Sequence, residues 1–338
     1  MSASLVVIRG FCRGADLLRP SGHGRRNRAQ QVCAPTGQIL RCWLGLCLGL
    51  VASRSAGAAE NPAADLSPTT WHGEKALGST SDGWTAIVSL ERGRLVHFGP
   101  AGNELNLLFA TPTRDDPAGW GGHRLWLGPQ KDWAKIWPPP AAWEHGGAAG
   151  VTNEAGMLRL ALADAGDGWP RLTRTYRWAG PKLVCGAELS GGTKPAQVIQ
   201  IIQVPRTTVV DVEAKPGPDA PAGYVFLPSG SNPKFTADFS PPPHVTRAGD
   251  LLRLRHLGII LKSGFRPQTL TGRIGGFTLR VSRGPESGRA VASPDQGFFT
   301  QVYLGGQEPF IELEQLSPLF APGTAAGSVI ELEGVAGR

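Results

Sequence analysis

The sequence predicts an all-β protein, a large antiparallel sandwich, and three observations predict it. Short runs rich in Val, Ile, Leu, Phe and Thr recur between clusters of Gly, Pro, Asn and Asp. Several runs alternate strictly between apolar and polar residues, the period of a half-buried strand. No window sustains the i, i+3, i+4, i+7 spacing of an amphipathic helix.

In chain order the strand candidates are Trp84–Leu90, Arg94–Phe98, Leu158–Leu162, Leu172–Trp178, Val198–Val204, Thr207–Val212, Leu251–Leu254, Phe277–Val281, Phe298–Leu304, Phe310–Leu316 and Val329–Leu332. Phe277-Thr278-Leu279-Arg280-Val281 shows the alternation plainly, with Phe, Leu and Val on one face and Thr and Arg on the other. So many short strands without a Ser/Gly linker, a charged run or a repeat period between them point to one domain over residues 60–338, made of stacked antiparallel sheets.

The net charge of +7 belongs to the front of the chain. Residues 1–59 hold eight arginines, no lysine and a single acid, Asp16, which leaves 26 basic and 26 acidic residues for the remainder. A balanced remainder lacks the basic footprint of a nucleic-acid binder or of a protein that sits on anionic membranes.

That front end predicts export. Arg41 precedes an apolar run from Cys42 to Ala52, and Ala56-Gly57-Ala58 supplies a small-x-small cleavage pattern, placing cleavage near Ala58/Ala59. The eleven-residue run is well short of the ~20 residues that span a bilayer, so no stable membrane insertion is expected after cleavage. A translation start assigned upstream of about residue 38 explains the Arg-rich stretch before the signal. Leu46, bulky where lipid attachment needs a small residue, argues against a lipoprotein anchored at Cys47. The expected location is the periplasm or the outside of the cell. Beyond residue 59 only Cys185 remains, so no intramolecular disulfide can form there. No Cys/His spacing resembles a zinc site, and neither a metal nor a cofactor is expected.

Two segments carry candidate chemistry. Gly121-Gly122-His123-Arg124-Leu125-Trp126 begins a Trp- and Pro-rich stretch that runs to Glu144 and sets Trp120, Trp126, Trp133, Trp137 and Trp143 beside His123, Arg124, Asp132 and Glu144. Flat aromatic faces mixed with a few hydrogen-bonding groups suit a neutral polyhydroxylated ligand such as a sugar. The same tryptophans would serve equally to pin a long loop onto the sandwich. In Phe310-Ile311-Glu312-Leu313-Glu314-Gln315-Leu316 a period of two puts Glu312 and Glu314 on one face. Adjacent carboxylates repel unless solvated or partnered, which raises the pKa of one of them and suits general-base work; an ordinary solvated row is the plainer reading.

Together with Arg94-Leu95-Val96-His97-Phe98-Gly99, Asn106-Leu107-Leu108, Trp137-Pro138-Pro139-Pro140 and Pro318 with Pro322-Gly323, these segments resemble an uncharacterised bacterial exported family of the galactose mutarotase-like (aldose 1-epimerase) superfamily. The resemblance covers most of residues 80–335, with its specific motifs in three islands. It implies a β-supersandwich of large antiparallel sheets with a sugar cleft across one sheet face. It also implies Glu314 as the base that acts on the anomeric hydroxyl, although Gln315 follows it directly, with Glu312 as runner-up. His123-Arg124 stands where the epimerases carry Asn-Arg, which implies Arg124 as a hydroxyl-binding donor.

The mid-chain histidine that serves these epimerases as acid has no counterpart, since Val198-Ile199-Gln200-Ile201-Ile202-Gln203-Val204-Pro205 holds glutamines instead. Gln203 can hydrogen-bond a sugar but cannot deliver a proton at neutral pH. His123 is the substitute if it faces the cleft, whereas His145 before Gly146-Gly147 reads as a chance match. Lys262 in Leu261-Lys262-Ser263-Gly264, at a strand end, is a candidate for the cleft lining, with a solvated lysine as the plainer reading.

Three functions stay open. The first is an exported carbohydrate-binding protein that takes a neutral sugar with Arg124, Trp126, Trp137, Trp143, Glu144 and Gln203. The second is an aldose 1-epimerase-type isomerase with Glu314, His123 and Glu312 as its catalytic groups. The third is a non-catalytic structural or assembly module of the cell envelope.

Overall fold

The strands run β1 (Ser67–Trp71), β2 (Glu74–Ser81), β3 (Trp84–Ser89), β4 (Arg94–Pro100), β5 (His123–Gly128), β6 (Ala148–Glu154), β7 (Met157–Leu162), β8 (Arg171–Ala179), β9 (Lys182–Ser190), β10 (Gln197–Pro205) and β11 (Val209–Glu213). They continue with β12 (Tyr224–Leu227), β13 (Val245–Ala248), β14 (Leu251–Arg255), β15 (Leu261–Phe265), β16 (Thr269–Ile274), β17 (Phe277–Ser287), β18 (Ala290–Ala292), β19 (Thr300–Leu304), β20 (Phe310–Leu316), β21 (Leu319–Phe320) and β22 (Ala326–Ala336). One four-residue helix, α1 (Ala141–Glu144), and two 3-10 turns, Gln130–Asp132 and Asp295–Gly297, are the helical elements of the described residues. The computed structural model describes residues 66–116, 119–135, 138–227 and 244–337. These residues lie in one compact unit, Gly57–Arg338.

All strand pairs are antiparallel. They make a ten-stranded sheet, β13-β14-β11-β16-β17-β22-β9-β8-β7-β6, a six-stranded sheet, β12-β15-β19-β20-β10-β5, a four-stranded meander β1 to β4, and the small pair β18-β21. The core lies between the two large sheets. Ile202, Val204, Val302, Leu304, Ile311 and Leu313 of the six-stranded sheet pack with Leu160, Tyr176, Leu279, Val281, Ile330 and Leu332 of the ten-stranded one. Polar groups on this inner face are bonded across the gap: Gln200 donates to the Ser328 carbonyl and Gln315 to that of Val281. The meander is tied on by Arg92, whose guanidinium grips Glu74 at 2.7 Å and donates to the carbonyls of Thr111 and Trp120.

Every residue of β5 and β20 is buried, as are eight of the nine in β10. Strands exposed to water on one face do not show that pattern. Their outer faces are covered by the Trp-rich segment, which forms a second cluster of Trp126, Trp133 and Trp143 with Ile199, Ile201, Leu316 and Trp169.

All eleven expected strands fall on observed ones, and β20 matches residue for residue. The strands without a sequence counterpart include β5, β9, β15 and β16. Their runs are interrupted by Gly or dominated by Trp, His and Arg, which weakens a pattern based on β-branched residues.

Candidate functional site

Strand pairing brings the candidates onto the outer face of the six-stranded sheet. Arg124 of β5 lies level with Ile201 of β10, Glu314 of β20 and Gln301 of β19; the adjacent level sets Gln203 beside Glu312, Tyr303 and Lys262. With a period of two, Trp126, Ile199 and Leu316 share this face.

Arg124 is the hub. Its Nη1 donates to Glu312 Oε1 at 2.9 Å, and its Nε and Nη2 meet the two oxygens of Glu144, both at 3.2 Å. Its guanidinium also lies over the Trp126 ring, 4.4 Å from the centroid, while Trp126 Nε1 donates to Glu144 Oε2 at 2.8 Å. Arg94 closes the network from β4, pairing with Glu144 Oε1 at 3.4 Å and donating to the Glu144 and Gly121 carbonyls.

The titration of these groups follows from that geometry. Burial alone would raise Glu144, but Arg124 and Arg94 outweigh it and hold the carboxyl down to about 2. Burial brings Arg94 down to about 10, against the pull of Glu144. Glu312 goes the other way: burial first, and then the neighbouring Glu314, raise it against the stabilising charge of Arg124. Gln203 supports Glu312 by donating to Oε1 at 2.8 Å.

Glu314 has a different partner. Lys262 Nζ approaches its Oε2 to 2.9 Å, with only 12 % of the lysine side chain exposed. The pair lines a narrow hollow with Trp126, Gln130, Gln197, Ile199, Gln296, Gln301 and Leu316. Two amides in this wall keep a polar atom that is buried and without a protein partner, Gln197 Nε2 and Gln301 Oε1.

His123 belongs elsewhere. One residue before Arg124, it points to the opposite side of β5, is fully buried, and shares a 3.1 Å hydrogen bond through Nδ1 with the Tyr176 hydroxyl of the ten-stranded sheet. Burial, then Arg174 and Arg94, push its pKa well below the usual histidine value. A neutral imidazole inside the sandwich cannot donate a proton to a ligand on the outer face, which removes the acid expected at this position. His145 is exposed and rests edge-on against Trp120 beside a separate hollow lined by Arg114, Asp115 and Asp116. None of the described histidines lines the hollow at Glu314.

The tryptophans divide. Trp126 lines the hollow, whereas Trp143 is buried in an edge-to-face chain, 6.4 Å from Trp133 and 5.4 Å from Trp169, with Trp133 in turn 5.7 Å from Trp126. Trp137 lies outside the described residues. Glu144 enters from α1 and is spent on the two arginines and the indole. Lys262 lines the hollow and is buried there, against the plainer reading of a solvated lysine, because a lone lysine in a Gly-containing strand carries no signal of burial.

Gly121 and Gly122 aim β5. Both sit at positive φ, and a side chain at either would come within 2.4 Å of the Phe109 carbonyl oxygen or 2.2 Å of that of Leu95. Among the described residues no group of three or more His, Cys, Asp or Glu side chains could hold a metal ion.

No family model matches the sequence, and no curated protein matches it. Solved structures do match the fold. A candidate aldose 1-epimerase from Escherichia coli K12 is similar over 77 % of this chain and 99 % of its own, with a TM-score of 0.55 at 11 % identity. A candidate mutarotase from Salmonella typhimurium covers 81 % of this chain and 94 % of its own, with a TM-score of 0.52 at 11 % identity. A galactose mutarotase-like protein from Lactobacillus casei covers 77 % of this chain and 100 % of its own, with a TM-score of 0.52 at 10 % identity. The chain has the galactose mutarotase-like fold.

Proposed function

We propose that the protein binds a neutral sugar in the hollow over Glu314. The observation that carries this reading is the chemistry of the wall: the Trp126 ring, the Lys262–Glu314 pair, and the unpaired amide atoms of Gln197 and Gln301 converge in one place. A sugar offers donors and acceptors together with an apolar ring face, which matches amides beside an indole. Lys262 pairs with Glu314 and Arg124 with Glu312 and Glu144, and Asp295 adds a negative charge to the wall, so no surplus cation is offered to a phosphate or an acidic sugar. The hollow is narrow, so this reading requires its wall to open before a whole sugar ring can enter. Saturation-transfer NMR against a panel of aldoses tests the reading. Transfer to a sugar that Gln301→Leu weakens supports it, and no transfer to any aldose defeats it.

Anomer interconversion is the second reading, favoured by the placement of Glu314 in the hollow and by the activities named for the Escherichia coli and Salmonella proteins. The structural reading draws on the burial of Trp133 and Trp143, which fixes the loop instead of offering aromatic faces to a ligand. Export belongs to the same proposal. It rests on Arg41, the run from Cys42 to Ala52 and Ala56-Gly57-Ala58, all outside the described residues. Sequencing the amino terminus of the protein recovered outside the cytoplasm tests it, and an uncleaved chain retained inside the cell defeats it.

A further inference from the structure

The sugar site described above has a carboxylate in the position of a base and no histidine to act as acid. Lys262 is the one cationic side chain among the described residues that line the hollow. It stands on β15, level with Tyr303 of β19, and leans diagonally across that strand so that its Nζ meets Glu314 Oε2 at 2.9 Å. Little of either side chain reaches water, 12 % for the lysine and 3 % for the glutamate. A lysine that serves solubility does not fold back onto a buried carboxylate, because confining its stem costs side-chain entropy.

From this geometry we infer that Lys262 is the proton donor to the ring oxygen of an aldose and works as a bifunctional pair with Glu314. The inference rests on the sugar-binding reading. Opening a cyclic aldose requires the anomeric hydroxyl O1 to lose a proton while the ring oxygen O5 gains one, and both oxygens are bonded to the same carbon, C1. Two groups in contact with each other can therefore face the two oxygens of one hemiacetal.

The Glu314 carboxylate takes the proton from O1, the O1–H electron pair becomes the second C1–O1 bond, and the C1–O5 pair moves onto O5. O5 takes its proton from the Lys262 ammonium. The result is the open aldehyde, a neutral amine and a neutral carboxylic acid. After rotation about C1–C2 the O5 hydroxyl adds to the other face of the aldehyde, the amine recovers its proton from O5, and Glu314 returns its proton to O1. No oxidant, reductant or further reactant is consumed, and both side chains end as they began.

The test uses the full-length chain and separates proton donation from charge pairing. Arginine at this position keeps the ion pair with Glu314 but holds its proton too tightly to deliver it. Anomer interconversion is followed by polarimetry on an aldose that gives saturation transfer. The expected result is acceleration by the wild type, a loss of about 100-fold or more in Lys262→Arg, and saturation transfer that persists in that variant. If Lys262→Arg keeps the wild-type rate, Lys262 supplies only charge and the inference is overturned, while the binding reading stands. If the wild type shows saturation transfer without acceleration, the catalytic pair is overturned and binding again stands. If it shows neither, both fail. Should Lys262→Arg lose the sugar as well, Lys262→Ala with added ethylammonium decides: restored acceleration supports donation by an ammonium, and its absence overturns it.

Discussion

Arg124 of β5 reaches over β10 to hold Glu312 of β20 at 2.9 Å, and with the same guanidinium it holds Glu144 of the Trp-rich segment. One cation thus joins the covering segment to the sheet it covers, in a setting where water does not replace a lost partner.

Removing that cation is expected to be costly. Arg124→Met leaves Glu312 and Glu144 buried with fewer partners, and breaking a buried pair from one side costs roughly 3–5 kcal/mol. Urea denaturation is expected to show a loss of that size, and adding Glu312→Gln to the same chain is expected to recover part of it. A loss below about 1 kcal/mol, the value of an exposed pair, would contradict the network.

Acid sensitivity is expected to begin near neutrality. His123 is held below its ordinary pKa by burial and by Arg174 and Arg94, and burial lowers His97, His244 and His256 as well. Below about pH 6.5 the unfolded chain takes up protons that the folded one refuses, so stability is full above that pH and falls as the pH drops beneath it. Replacing His123 with Gln is expected to flatten the slope of unfolding free energy by up to about 1.4 kcal/mol per pH unit between pH 6.5 and 5. A second decline belongs to Glu144, whose stabilising contribution is present above about pH 4.5 and disappears as the pH falls toward about 2. An unchanged slope in His123→Gln would show that the imidazole is not buried neutral.

The two kinds of tryptophan are expected to separate in experiment. Trp143→Ala removes the middle of the edge-to-face chain and is expected to destabilise by about 3–5 kcal/mol, with loss of the near-ultraviolet circular dichroism of the coupled indoles. Trp126→Phe keeps a ring in the hollow and loses the hydrogen bond to Glu144, at a cost of about 1.5–3 kcal/mol for a bond to a charged group. Equal losses from the two changes would undo the distinction.

Amide contacts in the hollow lend themselves to a fourth measurement. Gln301→Leu preserves volume but removes the unpaired Oε1, and is expected to weaken sugar association about tenfold, near 1.4 kcal/mol, when titrated by calorimetry. Unchanged affinity would place the sugar elsewhere.

Much of this was legible in the chain. The run from Phe310 to Leu316 declared both its strand and the shared face of Glu312 and Glu314, because Ile311-Glu312-Leu313-Glu314 alternates apolar with polar residues, although the plainer reading left that face in water and the structure buries it. Arg124 could be singled out, but its partners could not: Glu312 lies far along the chain, and only the order β5-β10-β20 brings the two together. The opposite orientation of His123 was within reach once His123–Gly128 is taken as a strand, since neighbours on a strand cannot share a face. The tryptophans and glycines concealed that strand. Lys262 could be named as a cleft candidate, but its burial could not be read, for it depends on Glu314 two strands away and on a wall that includes Gln296 and Gln130.

The tight approach of Gly121 and Gly122 to the carbonyls of Phe109 and Leu95 has a consequence for how this protein can vary. A strand has two sides, and a shift of one residue exchanges them. Sliding β5 by one position would put an imidazole on the outer face, opposite Glu312 and Glu144, and a guanidinium on the face that packs into the sandwich. Inserting or deleting a residue at the junction of Gly122 and His123 would therefore exchange the two sides of the strand and turn the molecule's chemistry inside out.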